Sequence, residues 1–238
     1  MTATDLSAAA SADPPRLSAA LSALYPSGVH AAEALGQGHP SLLTAPELQC
    51  VSHCAEKRIR DFAGGRSCAR QALLALGIAG FDLLAGEDRQ PLWPDPVVGS
   101  ITHTEGYSAA VVGLRSRFRG VGVDTEVVTA VNAEVWTQIC GAAELRHLEA
   151  LPAAQRPFWA ALVFAAKEAF YKCQFPSTSE WLEFTDLVLA PTAAGAAEGM
   201  ISLLPQRPLQ LAAEIPAPWQ GRFRFHDSFV TVGMALPT

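Results

Sequence analysis

Two acidic clusters far apart along the chain constrain its fold more than any other feature: Gly-Val-Asp-Thr-Glu over Gly122 to Glu126, and Phe-Ala-Ala-Lys-Glu-Ala-Phe-Tyr-Lys over Phe164 to Lys172. The first ends a β-branched run, and side chains two apart on a strand share a face, so Asp124 and Glu126 can aim at one point. The second has helical spacing, which places Glu168 and Lys172 on one face of a rigid element. Carboxylates crowded together raise each other's pKa, and a hard divalent cation removes that penalty. The pattern suggests a magnesium site of Asp124, Glu126 and Glu168, with Lys172 beside it. Each cluster alone also reads as ordinary: loop acids at a strand end, and a solvated helix face on which Lys167 points away from the Glu168 to Lys172 line.

The chain has 238 residues, enough for one large domain or two small ones. No apolar run approaches the roughly 20 residues of a membrane span. Met1 to Pro15 holds no basic residue and no apolar core, so it is expected to fray, not to direct export, and a cytoplasmic location is expected. Five cysteines at irregular spacing argue for reduced thiols. Cys50, His53 and Cys54 invite a zinc reading, but a structural zinc needs four ligands. A net charge of −6 weighs against general nucleic-acid binding.

Thr44-Ala-Pro-Glu47 reads as a capping box. The helix it starts is expected to run through Leu48, Val51, Ala55, Ile59 and Phe62 and to break at Gly64-Gly65; a second helix follows from about Arg66 to Leu76, ended by Gly77. The proline-rich stretch Arg89 to Pro96 reads as a shaped loop. Strands are expected at Val97 to Thr102, Tyr107 to Leu114 and Gly120 to Asp124, then helices at Asn132 to Ala150 and Pro157 to Gln174. Trp181 to Leu189 is strand-like, Thr192 to Gly199 a connector, and strands are expected at Met200 to Leu204, Leu209 to Ile215 and Arg222 to Ala235. Ile101-Thr-His, Tyr107 and Val112-Gly-Leu loosely echo Phe225-His226, Phe229 and Val232-Gly-Met, a weak hint of duplication. His226 reads as structural.

Between about Leu24 and Leu189, Phe-Ala-Gly-Gly-Arg-Ser-Cys-Ala-Arg70, Gly-Ser-Ile-Thr-His103, Gly-Val-Asp-Thr-Glu126 and Ala-Ala-Lys-Glu-Ala-Phe-Tyr-Lys172 stand in one order. In that order they resemble the 4′-phosphopantetheinyl transferases, of the kind serving siderophore and peptide synthetases. The resemblance implies an α+β single-chain pseudodimer of two similar α/β halves, with coenzyme A in the cleft between them. The halves would be 21–119, binding the coenzyme A phosphates, and 120–238, carrying the magnesium site and catalysis, after a flexible 1–20. Such enzymes move the phosphopantetheine arm to a serine of an acyl or peptidyl carrier protein and release adenosine 3′,5′-bisphosphate. By the resemblance, Asp124, Glu126 and Glu168 bind Mg²⁺. Arg66, His103 and Lys172 hold phosphates, with Arg70, Arg89 and Thr102 assisting. Glu168, directly or through a metal-bound water, takes the serine proton, with Glu144 an alternative base.

Two positions depart from the family pattern: Phe164 stands where tryptophan is frequent and Ala165 where serine is usual. Both bear on the orientation of Glu168. His103 alone reads equally as a turn histidine, and Arg70 as a partner for a neighbouring carboxylate. A magnesium nucleotidyl transferase or nuclease uses similar acids, and a non-catalytic coenzyme A or carrier-binding module would share the fold. A monomer without nucleic-acid or membrane partners is expected.

Overall fold

The apolar periodicities fold into two antiparallel sheets, each backed by one long helix. The structure, a computed structural model, describes residues 14–190 and 196–238. In chain order the first half contains β1 (Arg16–Leu17), α1 (Ala19–Ser22), β2 (His30–Leu35), α2 (Ala45–Gln49), α3 (Glu56–Ala75), β3 (Val97–Thr104) and β4 (Tyr107–Leu114). The second contains β5 (Phe118–Val127), α4 (Trp136–Ile139), α5 (Ala142–Ala150), α6 (Arg156–Thr178), β6 (Leu187–Leu189), β7 (Glu198–Pro205), β8 (Trp219–His226) and β9 (Phe229–Pro237). The sheet orders are β1-β2-β4-β3 and β5-β9-β8-β7-β6. Helix α3 packs on the first sheet and α6 on the second. Thus β2-α3-β3-β4 and β5-α6-β8-β9 share one plan: the last strand inserts between the other two. The echoed segments fall on the hairpins β3-β4 and β8-β9.

Edge strands β3 and β5 bring the sheets together without a ladder between them. Hydroxyls of β3 satisfy the exposed donors of β5: Val123 N–H donates to Ser100 Oγ at 3.1 Å and Thr125 N–H to Thr102 Oγ1 at 3.0 Å. An apolar cluster including Leu21, Tyr25, Val111, Phe118 and Val123 fills the seam, and the Tyr25 hydroxyl donates to Gly122 O at 2.8 Å.

Several sequence expectations change in three dimensions. Helix α3 runs straight through Gly64 and Gly65. A Cβ at Gly64 would lie 2.4 Å from Ser108 Oγ, and one at Gly65 2.7 Å from Ile101 Cγ2, so the glycines permit close helix-on-sheet packing. That contact outweighs their helix cost of about 1 kcal/mol each. The capping box at Thr44 forms, but its helix ends at Gln49. Glu47 binds Arg70, 23 positions later. In one continuous helix those residues would stand roughly 35 Å apart, so the chain has to turn between them.

The helix expected over Asn132 to Ala150 is interrupted at Cys140-Gly141. Leu209 to Ile215 is a 3₁₀ turn rather than a strand, pinned by Gln210 N–H donating to Glu180 Oε2 at 2.8 Å. Within Trp181 to Leu189 only Leu187–Leu189 is strand. Arg222 to Ala235 is a hairpin that turns at Asp227, φ 49°. Arg16 and Leu17 pair with Glu33 and Ala32, so order begins inside the segment expected to be flexible. The rest of that expectation, residues 1–13, and residues 191–195 of the expected connector lie outside the described residues. Among the described residues no helix is long and apolar enough to cross a membrane.

At Gly122 a Cβ would sit 1.9 Å from the Ala169 carbonyl oxygen and 2.8 Å from Cys173 Cβ, so strand and helix would have to separate. Gly122→Ala is expected to cost about 1–3 kcal/mol and to lower the thermal midpoint by several degrees. An unchanged melting curve would show that the contact yields without cost.

Candidate active site

Strand alternation puts Gly120, Gly122, Asp124 and Glu126 on the face of β5 that meets α6. The two glycines let the backbones close, which carries Asp124 onto the helix. Lys172 Nζ lies 2.5 Å from Asp124 Oδ1. The same oxygen accepts from Thr102 Oγ1 at 3.3 Å, and Thr102 Oγ1 in turn accepts from Thr125 N–H, so Thr102 ties β3 to the acidic strand. Asp124 Oδ2 is buried with no hydrogen-bond partner among the described residues.

Burial first, then Asp124 and Glu168, push the Glu126 carboxyl up to about 8 against the opposing pull of Lys172. Glu168 is raised as well, by burial and by Asp124, against Lys172. Burial alone would lower the Lys172 ammonium, but Asp124, Glu168 and Glu126 outweigh it and leave it raised. One ammonium therefore serves three carboxylates.

The sequence pattern predicts the three acids converging on a single point. Among the described residues no three acidic, histidine or cysteine side chains form such a cluster. Like charges do not close on one another unaided, and Lys172 is the compensating group on Asp124. The donor set nevertheless fits a hard cation: an orphaned carboxylate oxygen and two acids held above their ordinary range are the conditions that a cation relieves.

Beside these acids a cleft of about 320 Å³ runs between α3, β3 and α6. It is lined by Arg58, Arg66, Arg89, His103, Glu168 and Lys172, among others. Arg66 is buried; its Nε donates to Leu83 O at 2.7 Å, its guanidinium lies 3.9 Å over the Phe62 ring, and burial pushes its pKa down to about 10. Its Nη1 has no partner among the described residues. Arg89 takes a left-handed backbone, φ 64°, within the proline-rich loop, a conformation that costs a non-glycine residue of order 1 kcal/mol and brings it to the cleft. His103 Nε2 lies 3.2 Å from Arg58 Nη1 and accepts from it, while Nδ1 is 4.0 Å from Asp61. Burial lowers the His103 pKa, Asp61 opposes, and Arg58 and Lys172 reinforce the shift, so the neutral ring is favoured.

Other candidates lie elsewhere. Arg70 does not line this cleft: its Nη1 is 2.6 and 2.5 Å from the carboxylate oxygens of buried Glu47, and it also donates to Leu42 O. Glu144 is not placed as a base. It is 2% exposed and accepts from Lys167 Nζ, Gly141 N–H and Leu189 N–H, each at 2.7 Å. Lys167 is correspondingly buried, not solvated, and burial lowers its pKa while Glu144 opposes. His226 lies 2.9 Å from Thr231 Oγ1, and Phe164 stacks on Phe184 at 5.2 Å.

Arg58, Asp61, Tyr171 and Trp181 also line the cleft and are not among the residues that the sequence motifs select. Arg58, Asp61, Phe62, Gly65 and Arg66 recur at helical spacing, so a single stripe of α3 carried that signal.

Family models for the 4′-phosphopantetheinyl transferase N-terminal domain and the 4′-phosphopantetheinyl transferase superfamily match residues 46–113 and 120–219. The chain is 37% identical over 163 residues to 4′-phosphopantetheinyl transferase Npt of Nocardia iowensis, covering 68% of this chain and 72% of the relative. It is 40% identical over 149 residues to 4′-phosphopantetheinyl transferase PptT of Mycobacterium tuberculosis, covering 62% and 65%. It is 30% identical over 207 residues to enterobactin synthase component D of Salmonella typhi, covering 82% and 80%.

Two outcomes separate electrostatic roles. Glu126 has an ordinary value of 4.5 and a folded value of about 8, so between those pH values the folded state holds the extra proton and stability falls as pH rises. Glu126→Gln is expected to narrow that decline in metal-free buffer, raising the melting temperature relative to wild type at pH 8 but not at pH 4; parallel curves would refute the burial account. Glu144→Gln strips a buried ammonium of its counter-charge and is expected to destabilise the fold by roughly 3–5 kcal/mol. Native-like denaturation with selective loss of activity would return Glu144 to the list of bases.

Proposed function

The chain belongs to the 4′-phosphopantetheinyl transferase superfamily, and on that premise we propose that it moves the 4′-phosphopantetheine arm of coenzyme A to a serine hydroxyl of an apo acyl or peptidyl carrier protein. The observation that carries this reading is the cleft itself: Arg66, Arg89, His103 and Lys172 face one cavity that Glu168 also lines. Three cations and a neutral imidazole around a cavity beside an acidic strand suit a diphosphate that must be both held and broken.

In this reading the serine oxygen attacks the phosphorus bearing the pantetheine arm, the bond to the bridging oxygen breaks, and adenosine 3′,5′-bisphosphate leaves. Glu168 accepts the serine proton, and its raised pKa brings it nearer to matching that task at neutral pH. Lys172 and the hydrogen-bond donors of His103 and Arg58 compensate charge on the phosphates. Arg66, anchored by the Leu83 and Leu84 carbonyls and by the Phe62 ring, presents its Nη1 to a phosphate as a preorganised donor. Asp124, Glu126 and Glu168 would hold Mg²⁺, which supplies charge neutralisation at the leaving oxygen.

The shared strand plan supports a pseudodimer with a single working cleft. Counted from the hairpin turns, Ala32 and Ala34 of β2 hold the register positions of Asp124 and Glu126 on β5; counted from Gly113 and Gly233, the positions fall on His30 and Ala32. Neither count finds a carboxylate. With both walls of its cleft supplied by one chain, the protein is proposed to act as a monomer. The described cysteines are all free, which suits the reducing cytoplasm.

The test is incubation of a panel of apo carrier proteins with coenzyme A and Mg²⁺, read by intact mass. A carrier serine gaining phosphopantetheine is expected, with Asp124→Asn and Glu168→Gln slower by about 10²–10⁴-fold yet thermally folded. Full activity in either variant would reject the site assignment. Carrier binding without mass gain would point to a binding module, and nucleotide incorporation to a different transferase.

A further inference from the structure

Tyr171, Phe175 and Trp181 give the cleft an aromatic stretch of wall at the C-terminal end of α6 and just beyond it. Tyr171 packs tilted against Phe175 with centroids 5.1 Å apart and meets Trp181 edge-on at 5.5 Å. Tyr171 and Phe175 are fixed by α6, but Trp181 follows the helix and is 67% exposed, so burial does not hold it in place. Its backbone is held from outside the cleft by Arg207, in the loop after β7.

The Trp181 indole N–H donates to Glu183 Oε1 at 3.3 Å, and one guanidinium gathers the backbone around it. Arg207 Nη1 donates to Glu180 Oε1 at 2.8 Å and to Pro208 O at 3.2 Å; Nη2 donates to Trp181 O at 3.1 Å and to Asp186 Oδ2 at 3.0 Å; and Nε is 2.9 Å from Asp186 Oδ1. Glu180 Oε2 receives Gln210 N–H at 2.8 Å, and the Glu180 carbonyl receives Gln174 Nε2 at 2.9 Å. Isolated surface ion pairs contribute little, but a bidentate fork that also binds a backbone carbonyl fixes geometry.

We infer that Arg207 is a positioning residue for the substrate: it acts through Trp181 to keep the aromatic wall in place for the uncharged part of coenzyme A, and does not itself touch the ligand. This rests on the transferase reading. The charged groups of the cleft account for the phosphates, and the uncharged parts, the adenine ring and the amide and thioalkyl arm, are those whose chemistry matches an aromatic face.

The experiment measures transfer kinetics and calorimetric coenzyme A binding for wild type, Arg207→Ala, Arg207→Lys, Trp181→Ala and the Arg207→Ala/Trp181→Ala double variant. Arg207→Ala is expected to raise KM and Kd for coenzyme A roughly 3- to 10-fold, the loss of one aromatic contact, with kcat kept. Arg207→Lys is expected to recover part of this, and the double variant to match Trp181→Ala alone. If wild type binds and transfers but Arg207→Ala keeps KM and Kd within about twofold, the inference is wrong. Additive losses in the double variant, or a fall in kcat and melting temperature without a KM change, would also overturn it in favour of a general structural role. Wild type that neither binds coenzyme A nor transfers its arm would remove the transferase reading and this inference with it.

Discussion

The close approach of β5 to α6 is the contact on which the rest of the site depends. Gly120 and Gly122 leave no room for even a Cβ against the Cys173 and Ala169 carbonyls. Because strand side chains alternate, that fit fixes where Asp124 stands, and because helix side chains recur every fourth residue, it fixes Glu168 and Lys172 opposite. On the other side of the same strand, Val121 and Val123 close the seam between the sheets, and the hydroxyls of Ser100 and Thr102 take up its N–H groups. One strand thus joins the two halves and carries the acids.

Helix α6 holds two lysine–carboxylate pairs with opposite fates. Lys167 and Lys172 are five positions apart, so they leave the helix about 140° from each other. Lys167 turns inward to Glu144, where every polar atom of the pair is claimed by protein, and the result is structural. Lys172 turns to Asp124 at the cleft, where one carboxylate oxygen has no partner among the described residues and two further acids stand nearby with raised pKa values. That imbalance sets the cleft pair apart from the buried one: charge is supplied there in excess of what the protein neutralises.

Much of the local structure was legible in the residues. The capping box at Thr44, the helix stop at Gly77 and the three strands around Gly106 all rest on short-range chemistry, and each forms where that chemistry places it. The breaks that did not form, or formed elsewhere, have long-range causes. Gly64-Gly65 carries the composition of a helix end, yet the face of β3 and β4 uses those glycines as a packing surface. Leu209 to Ile215 has strand composition, yet Glu180 from a distant loop captures its backbone. The turn between α2 and α3 is required by the Glu47–Arg70 pair, whose partners no local pattern identifies.

The sequence by itself determined which faces the candidate side chains share: Asp124 with Glu126, and Glu168 with Lys172. Only the tertiary structure decided which of them meet. It put Lys172 on Asp124, withdrew Arg70 and Glu144 into structural pairs, and brought Arg58, Asp61 and the aromatic wall of Trp181 to the cleft. The physical reason is one of range: periodicity and capping act within a few residues of chain, whereas the choice of partner for a charge depends on packing between elements tens of residues apart.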